Sequence, residues 1–292
     1  MSLFRGSAVA LVTPFNEDES VNFEELERLI EFQIENKTDA LVICGTTGEA
    51  STMTDEEQVE TIKFSVEKAN GRVPVIAGAG SNDTRHGINL AKMCEDVGAD
   101  GLLEVTPYYN KTSQRGLYEH YKVIAEAVNI PIILYDVPGR TSMSIAPQTV
   151  KELAEIDNIV GLKDASGNLS YAAEVRNLVG EDFDVYSGND DVVVPLMSIG
   201  GVGVISVLAN IYPRLVHDMC QNFFDGNIKE AGRIQINNKK LIDALFVEPN
   251  PIPIKAAMNM MGYNVGGLRL PLYEAADSTK ELLKGLLRWK YF

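Results

Sequence analysis

Short apolar runs and helical stretches alternate along this 292-residue chain, and that alternation limits the fold more than any other feature. The runs fall at residues 8–13, 40–44, 73–77, 101–106, 131–135, 159–163, 183–187 and 202–206. Each is rich in Val, Ile or Leu and too short for a typical helix, and most close on a Gly, Pro, Asn or Thr cluster. They predict eight strands. Between them, 23–33 carries apolar residues at 23, 26, 29 and 30, a helical spacing, and 54–69, 82–97, 114–128, 147–155 and 168–179 also read as helices. Strand–helix alternation implies a parallel sheet, because parallel neighbours need a crossover. Eight such units is the number that closes an α/β (β/α)8 TIM barrel. An open doubly wound sheet is the competing arrangement, although no Gly-x-Gly-x-x-Gly follows the first strand. After Ser206 the strand pattern stops, and the remainder reads as helical, with prolines clustered between Pro249 and Pro271. We therefore expect a catalytic barrel over residues 1–224 and a C-terminal helical subdomain over 225–292.

No low-complexity tract or run of like charge divides the chain, and its length suffices for a large core without disulfides or metals. Lys and Arg number 26 against 41 Asp and Glu, a net charge of −15. That balance argues against nucleic acid or an anionic membrane as partner, since both reward clustered cations. A small anionic substrate stays open, because local groups set a pocket. Cys44, Cys94 and Cys220 are odd in number and far apart, as in a reducing compartment. The apolar stretch near the N-terminus is too short to span a bilayer and lacks a small-residue cleavage site, so the expected location is cytoplasmic.

In a barrel of this kind chemistry sits where the strands end. Of the 15 lysines, most lie in polar segments, but Lys163 terminates the apolar run Ile159-Val160-Gly161-Leu162. Alternation puts Ile159, Gly161 and Lys163 on one face, so Lys163 tops a column above a small glycine. Burial disfavours a charged amine, and a desolvated lysine supplies a nucleophile for a carbonyl. The other reading is a barrel-mouth lysine paired with a carboxylate such as Asp164. Tyr135 ends the preceding strand, where its phenol can reach the same part of the mouth and move protons. An amphipathic tyrosine capping the core is the alternative. Gly45-Thr46-Thr47-Gly48 offers backbone N–H groups and two hydroxyls for a carboxylate, or else a plain strand-to-helix turn. Arg140 follows a strand end closely and suits a substrate carboxylate, unless it forms a surface ion pair.

Other candidates carry less. Glu49 reads as structural. His86, His120 and His217 show no ligand spacing with each other or with cysteine, so no metal site is expected. Cys44 reads as a small apolar filler, and Asn189-Asp190 as a turn and helix cap.

Gly45-Thr46-Thr47-Gly48-Glu49, Tyr135-x-x-Pro138-x-Arg140-Thr141 and Gly161-Leu162-Lys163-Asp164 resemble the signatures of class I pyruvate aldolases and lyases. Within that superfamily the chain resembles the dihydrodipicolinate synthase family. The stretches 106–111, 203–207 and 246–253 carry the likeness further, and it runs from about Gly6 to Pro271. The resemblance implies that Lys163 forms a Schiff base with pyruvate, whose carboxylate rests against Thr46 and Thr47. The enamine then attacks L-aspartate 4-semialdehyde to give 4-hydroxy-tetrahydrodipicolinate, a step towards lysine and diaminopimelate. Tyr135, Thr46 and Tyr109 would relay protons, with Tyr109 reaching in from a neighbouring subunit. Arg140 would receive the second substrate's carboxylate, and Ile205 would line the pyruvate site. No metal, flavin or nucleotide cofactor is implied. The implied assembly is a homotetramer built from dimers.

N-acetylneuraminate lyase and the 2-keto-3-deoxy-sugar-acid aldolases share the lysine and tyrosine, but their polyol substrates do not call for the Arg140-Thr141 pair. A non-catalytic pyruvate-binding barrel is a third reading, against which Lys163, Tyr135 and Thr46 stand together. Where lysine-sensitive relatives carry basic residues and a glutamate, this chain has Asp55, Gln58 and His86, which predicts weak or absent lysine feedback.

Overall fold

A computed structural model describes residues 2–287. The chain folds as a (β/α)8 barrel. Its strands are β1 (Gly6–Ala10), β2 (Ala40–Ile43), β3 (Val75–Gly78), β4 (Gly101–Val105), β5 (Ile132–Asp136), β6 (Ile159–Asp164), β7 (Asp184–Ser187) and β8 (Gly203–Ser206). They pair in parallel in sequence order, and β8 closes on β1. Every predicted strand is present, shifted by two residues or fewer at most ends.

Side chains divide between two cores. Ala8, Ala10, Ala40, Val42, Ile76, Leu103, Ile133, Tyr135, Tyr186 and Ile205 fill the barrel interior. Small residues on β1 and β2 face bulky ones on the far side, so the layers interdigitate. The second core lies between the sheet and its ring of helices, where alternate strand residues meet apolar helix faces such as Leu26, Leu29 and Ile30. At the N-terminal end, Phe4 stacks on Tyr186 with centroids 4.3 Å apart.

Strict alternation fails at one point. The β5–β6 register pairs Ile132 with Ile159 and then Ile133 with Gly161, so Val160 is an extra residue in β6. Ile159 consequently packs with the outer core and Val160 with the inner one, contrary to the expectation that Ile159 shares the face of Lys163. Beyond the bulge, Gly161 and Lys163 align with the inward-facing Ile133 and Tyr135. Gly161 is needed there, because a Cβ would come within 2.8 Å of the Asp184 carbonyl oxygen.

Past β8 the chain is helical, through Pro213–Phe224, Ile228–Ala244, Ile252–Met260 and Asp277–Leu286. Residues 288–292 of the expected subdomain lie outside the described residues. The prolines at 249, 251 and 253 do more than end helices. They steer a segment back over the barrel mouth, where Asn250 and Lys255 contact loops that follow β1, β2 and β5. Among the described residues no helix is long and apolar enough to cross a membrane.

Candidate active site

Parallel strands bring all eight C-terminal ends to one mouth, and most of the residues singled out above gather there. Lys163 and Tyr135 are register partners on adjacent strands. The Lys163 Nζ stands 4.2 Å from the centroid of the Tyr135 ring, and the two residues are only 6% and 7% exposed. The amine thus rests on the ring face, with the phenolic oxygen beyond it. Among the described residues no carboxylate lies within ion-pair distance of Lys163. Asp164 is not its partner, since the next residue of a strand points to the other face. Its Oδ1 accepts the Ser166 N–H at 2.8 Å, and burial raises its carboxyl above the usual range.

The outward-facing Asp136 is register-paired with Asp164, and burial, aided by that neighbouring charge, pushes its carboxyl to about 7. Both belong to the layer behind the strands, where Asp136 Oδ1 accepts the Ile145 N–H.

The turn after β2 lies four strands from Lys163, across the barrel. It closes through Gly48 N–H to Gly45 O and Glu49 N–H to Thr46 O. Those bonds leave the N–H groups of Thr46 and Thr47, and the Thr46 hydroxyl, without an acceptor among the described residues. Adjacent open N–H groups in a tight turn form a seat for an anion. The Thr47 Oγ1 accepts from Asn250 Nδ2 at 2.9 Å.

Arg140 sits in the short helix Pro138–Thr141 and is exposed, with Nη2 donating to the Asn250 carbonyl at 2.8 Å. Thr141 turns away. Its hydroxyl is buried between Thr106, Val137 and Met143, so it braces the β5 loop rather than facing the mouth. Ile205 gives a fully buried side chain to the inner core. Tyr109 stands apart, in the left-handed region at φ 65° and 94% exposed, and so packs on neither Lys163 nor Tyr135 of its own chain.

Glu49 is structural, as its position suggested. Its Oε1 takes the buried Lys255 ammonium at 2.8 Å and its Oε2 accepts the Arg269 N–H. Asp190 caps, but not its own helix. Its carboxylate accepts from the Ser206 hydroxyl and from the Val207 and Leu208 N–H groups, pinning the end of β8. Burial raises its carboxyl, a shift opposed by these bonds and by the charge on Lys163. Asn250 and Lys255 were not singled out from the chain. Asn250 lies in the stretch 246–253 that carries the resemblance, Lys255 just beyond it, and their contacts span 203 and 206 residues.

His86 bonds Asp55 at 2.8 Å and Ser81 at 2.9 Å, while His120 meets Thr84 and His217 meets Asp39. Among the described residues no group of three or more His, Cys, Asp or Glu is placed to hold a metal ion. All three cysteines are buried and unpaired; burial pushes the Cys94 thiol up to about 12 and raises Cys44 and Cys220 as well.

Comparison with known proteins agrees with this architecture. Residues 3–290 match the model of the dihydrodipicolinate synthetase family. A 4-hydroxy-tetrahydrodipicolinate synthase of Caldicellulosiruptor bescii is 55% identical over 98% of this chain and 97% of its own. The crystal structure of dihydrodipicolinate synthase from Thermotoga maritima superposes with a TM-score of 0.96 at 42% identity, covering 98% of each chain. A structure described as a monomeric dihydrodipicolinate synthase variant superposes at 0.95, with 42% identity and 98% coverage of each chain. Sequence and barrel agree: this chain belongs to the dihydrodipicolinate synthetase family.

Proposed function

We propose that this protein is a 4-hydroxy-tetrahydrodipicolinate synthase, condensing pyruvate with L-aspartate 4-semialdehyde through a Schiff base on Lys163. One observation carries the reading: a buried lysine shares a mouth with a turn whose N–H groups are open, and among the described residues neither has a partner of the kind it would need. Pyruvate's carboxylate takes the Thr46 and Thr47 N–H groups, bringing its ketone to Lys163. The neutral amine attacks the ketone carbon, water leaves, and an iminium forms over the face of Tyr135, whose π-electrons favour a cation. Loss of a methyl proton gives the enamine, whose carbon bonds to the aldehyde carbon of the second substrate. That substrate's own amine then displaces Lys163 from the iminium carbon and closes the ring. Tyr135 and Thr46 move the protons of iminium formation. Ile205 forms the floor of the pyruvate site.

Arg140 is the residue for the second substrate's carboxylate, since one contact to Asn250 leaves most of its five N–H donors uncommitted. That assignment favours the synthase over aldolases that take a polyol tail. Tyr109, exposed on its loop, fits donation to a neighbouring copy's mouth, so we propose at least a dimer and, by family likeness, a tetramer. The barrel occupies 1–224 in this reading, and 225–292 is an appended subdomain, helical over its described residues, that furnishes Asn250. The buried free thiols support a cytoplasmic setting.

Turnover decides between the readings. Pyruvate with L-aspartate 4-semialdehyde is expected to be consumed together, with no cleavage of N-acetylneuraminate. Cleavage of the sugar acid without condensation of the semialdehyde overturns the assignment.

A further inference from the structure

Asn250 links the two carboxylate seats just described. It is 5% exposed; its Nδ2 donates to Thr47 Oγ1 at 2.9 Å, and its main-chain carbonyl accepts from Arg140 Nη2 at 2.8 Å. The residue lies 203 positions from Thr47 and 110 from Arg140, so the tertiary fold alone brings the three together.

The direction of the first bond has a chemical consequence. A hydroxyl has one proton and two lone pairs, and the amide N–H occupies a lone pair. The Thr47 proton therefore remains to be donated, and no group among the described residues accepts it. Beside it stand the open N–H groups of Thr46 and Thr47. These three donors, with the Thr46 hydroxyl beside them, suit an anion. The Asn250 Oδ1 is buried without a partner among the described residues. If the amide were turned round, Oδ1 would take the Thr47 proton and the third donor would vanish.

We propose that Asn250 is a positioning residue that holds the Thr47 hydroxyl as a donor towards the pyruvate carboxylate. Its main-chain carbonyl meanwhile anchors Arg140 for the second substrate. The proposal rests on the function proposed above and names the residue on which its two carboxylate sites pivot. It also gives the C-terminal segment a role in binding, since it furnishes the group that fixes hydrogen-bond polarity at the mouth.

Asn250→Asp is the sharp test, because it preserves shape while exchanging a donor for an acceptor-only carboxylate. Borohydride trapping is titrated with pyruvate, and KM is measured for both substrates. The half-saturating pyruvate concentration is expected to rise about 10- to 100-fold, as for a lost hydrogen bond to a charged group. In Asn250→Ala the semialdehyde KM should stay within about threefold, because the backbone carbonyl that anchors Arg140 is untouched. Asn250→Ala, which removes the donor without capturing the Thr47 proton, should cost less than Asn250→Asp. A packing role predicts the reverse order, since alanine leaves the larger void.

Should the Asp variant fail to fold, Asn250→Ala decides the matter in combination with Thr47→Val. The alanine effect on pyruvate must disappear once the hydroxyl is gone, and persistence of the full effect overturns the proposal. Unchanged pyruvate dependence in a folded Asn250→Asp protein overturns it too. If wild-type protein is not trapped by pyruvate at all, the proposed function itself falls, an outcome distinct from either of these.

Discussion

Lys163 and Lys255 are both buried, and their surroundings are opposite in kind. Lys255, 1% exposed, donates to Glu49 Oε1 and to the carbonyls of Thr13 and Gly267. Burial lowers its pKa, opposed by the adjacent Glu49 charge. All three of its protons have acceptors, and the amine ties the β1 and β2 loops to the C-terminal segment. Lys163, 6% exposed, rests on the Tyr135 ring with no hydrogen-bond acceptor among the described residues. Burial does not separate the two lysines. The number of acceptors does. The arginines divide in the same way. Arg269 spends its donors on Glu57, Thr52 and Glu19, whereas Arg140 spends one on Asn250.

Substituting both lysines by methionine puts this contrast under the greatest load. Lys163→Met should lower kcat by at least ~10⁴-fold with no loss of thermal stability, since an unpaired amine is exchanged for an apolar chain of similar volume. Lys255→Met should instead cost about 3–5 kcal/mol in urea unfolding, because Glu49 is left buried and unpaired. Equal destabilisation by the two substitutions would break the comparison.

Glu104 extends it to acids. Glu49 is fully bonded, but both Glu104 oxygens are buried without partners among the described residues, and burial pushes that carboxyl up from 4.5 to about 8. Between those values the folded chain keeps a proton that the unfolded chain releases, so stability falls as pH rises through the window. Glu104→Gln should therefore stabilise by up to roughly 5 kcal/mol at pH 9 and by nothing near pH 4. A gain independent of pH would contradict the cause given.

Arg140→Ala should reduce kcat/KM for the semialdehyde about 10- to 100-fold while leaving pyruvate trapping nearly unchanged. Equal loss on both substrates would remove the carboxylate role. The smallest effect expected is that of free lysine. The Asp55 carboxylate is bonded to His86, and the Gln58 amide to the carbonyls of Ala50 and Met53, so neither group is left free to take an ammonium. Half-inhibition by sub-millimolar lysine in a steady-state assay would contradict this.

The barrel was legible because strand and helix periodicities are local properties of the chain. Lys163 was legible because a lysine ending an apolar run conflicts with its surroundings, and Tyr135 because it ends the neighbouring strand. The Val160 bulge escaped, since an extra residue between two apolar neighbours leaves the pattern of apolar letters intact. Asn250 escaped for a different reason. Its partners come from the loops after β2 and β5, and a hydrogen bond across some 200 residues leaves no periodic trace. Thr141 shows the converse, since proximity to Arg140 in sequence suggested a shared role that its buried hydroxyl does not have.

The most direct test of the account is chemical trapping at the two buried lysines. Protein incubated with pyruvate, reduced with borohydride and mapped by peptide mass should carry one reduced pyruvyl adduct, on Lys163, with Lys255 unmodified. An adduct on Lys255 or elsewhere, or no adduct at all, would contradict the claim that an acceptor-poor buried lysine is the nucleophile.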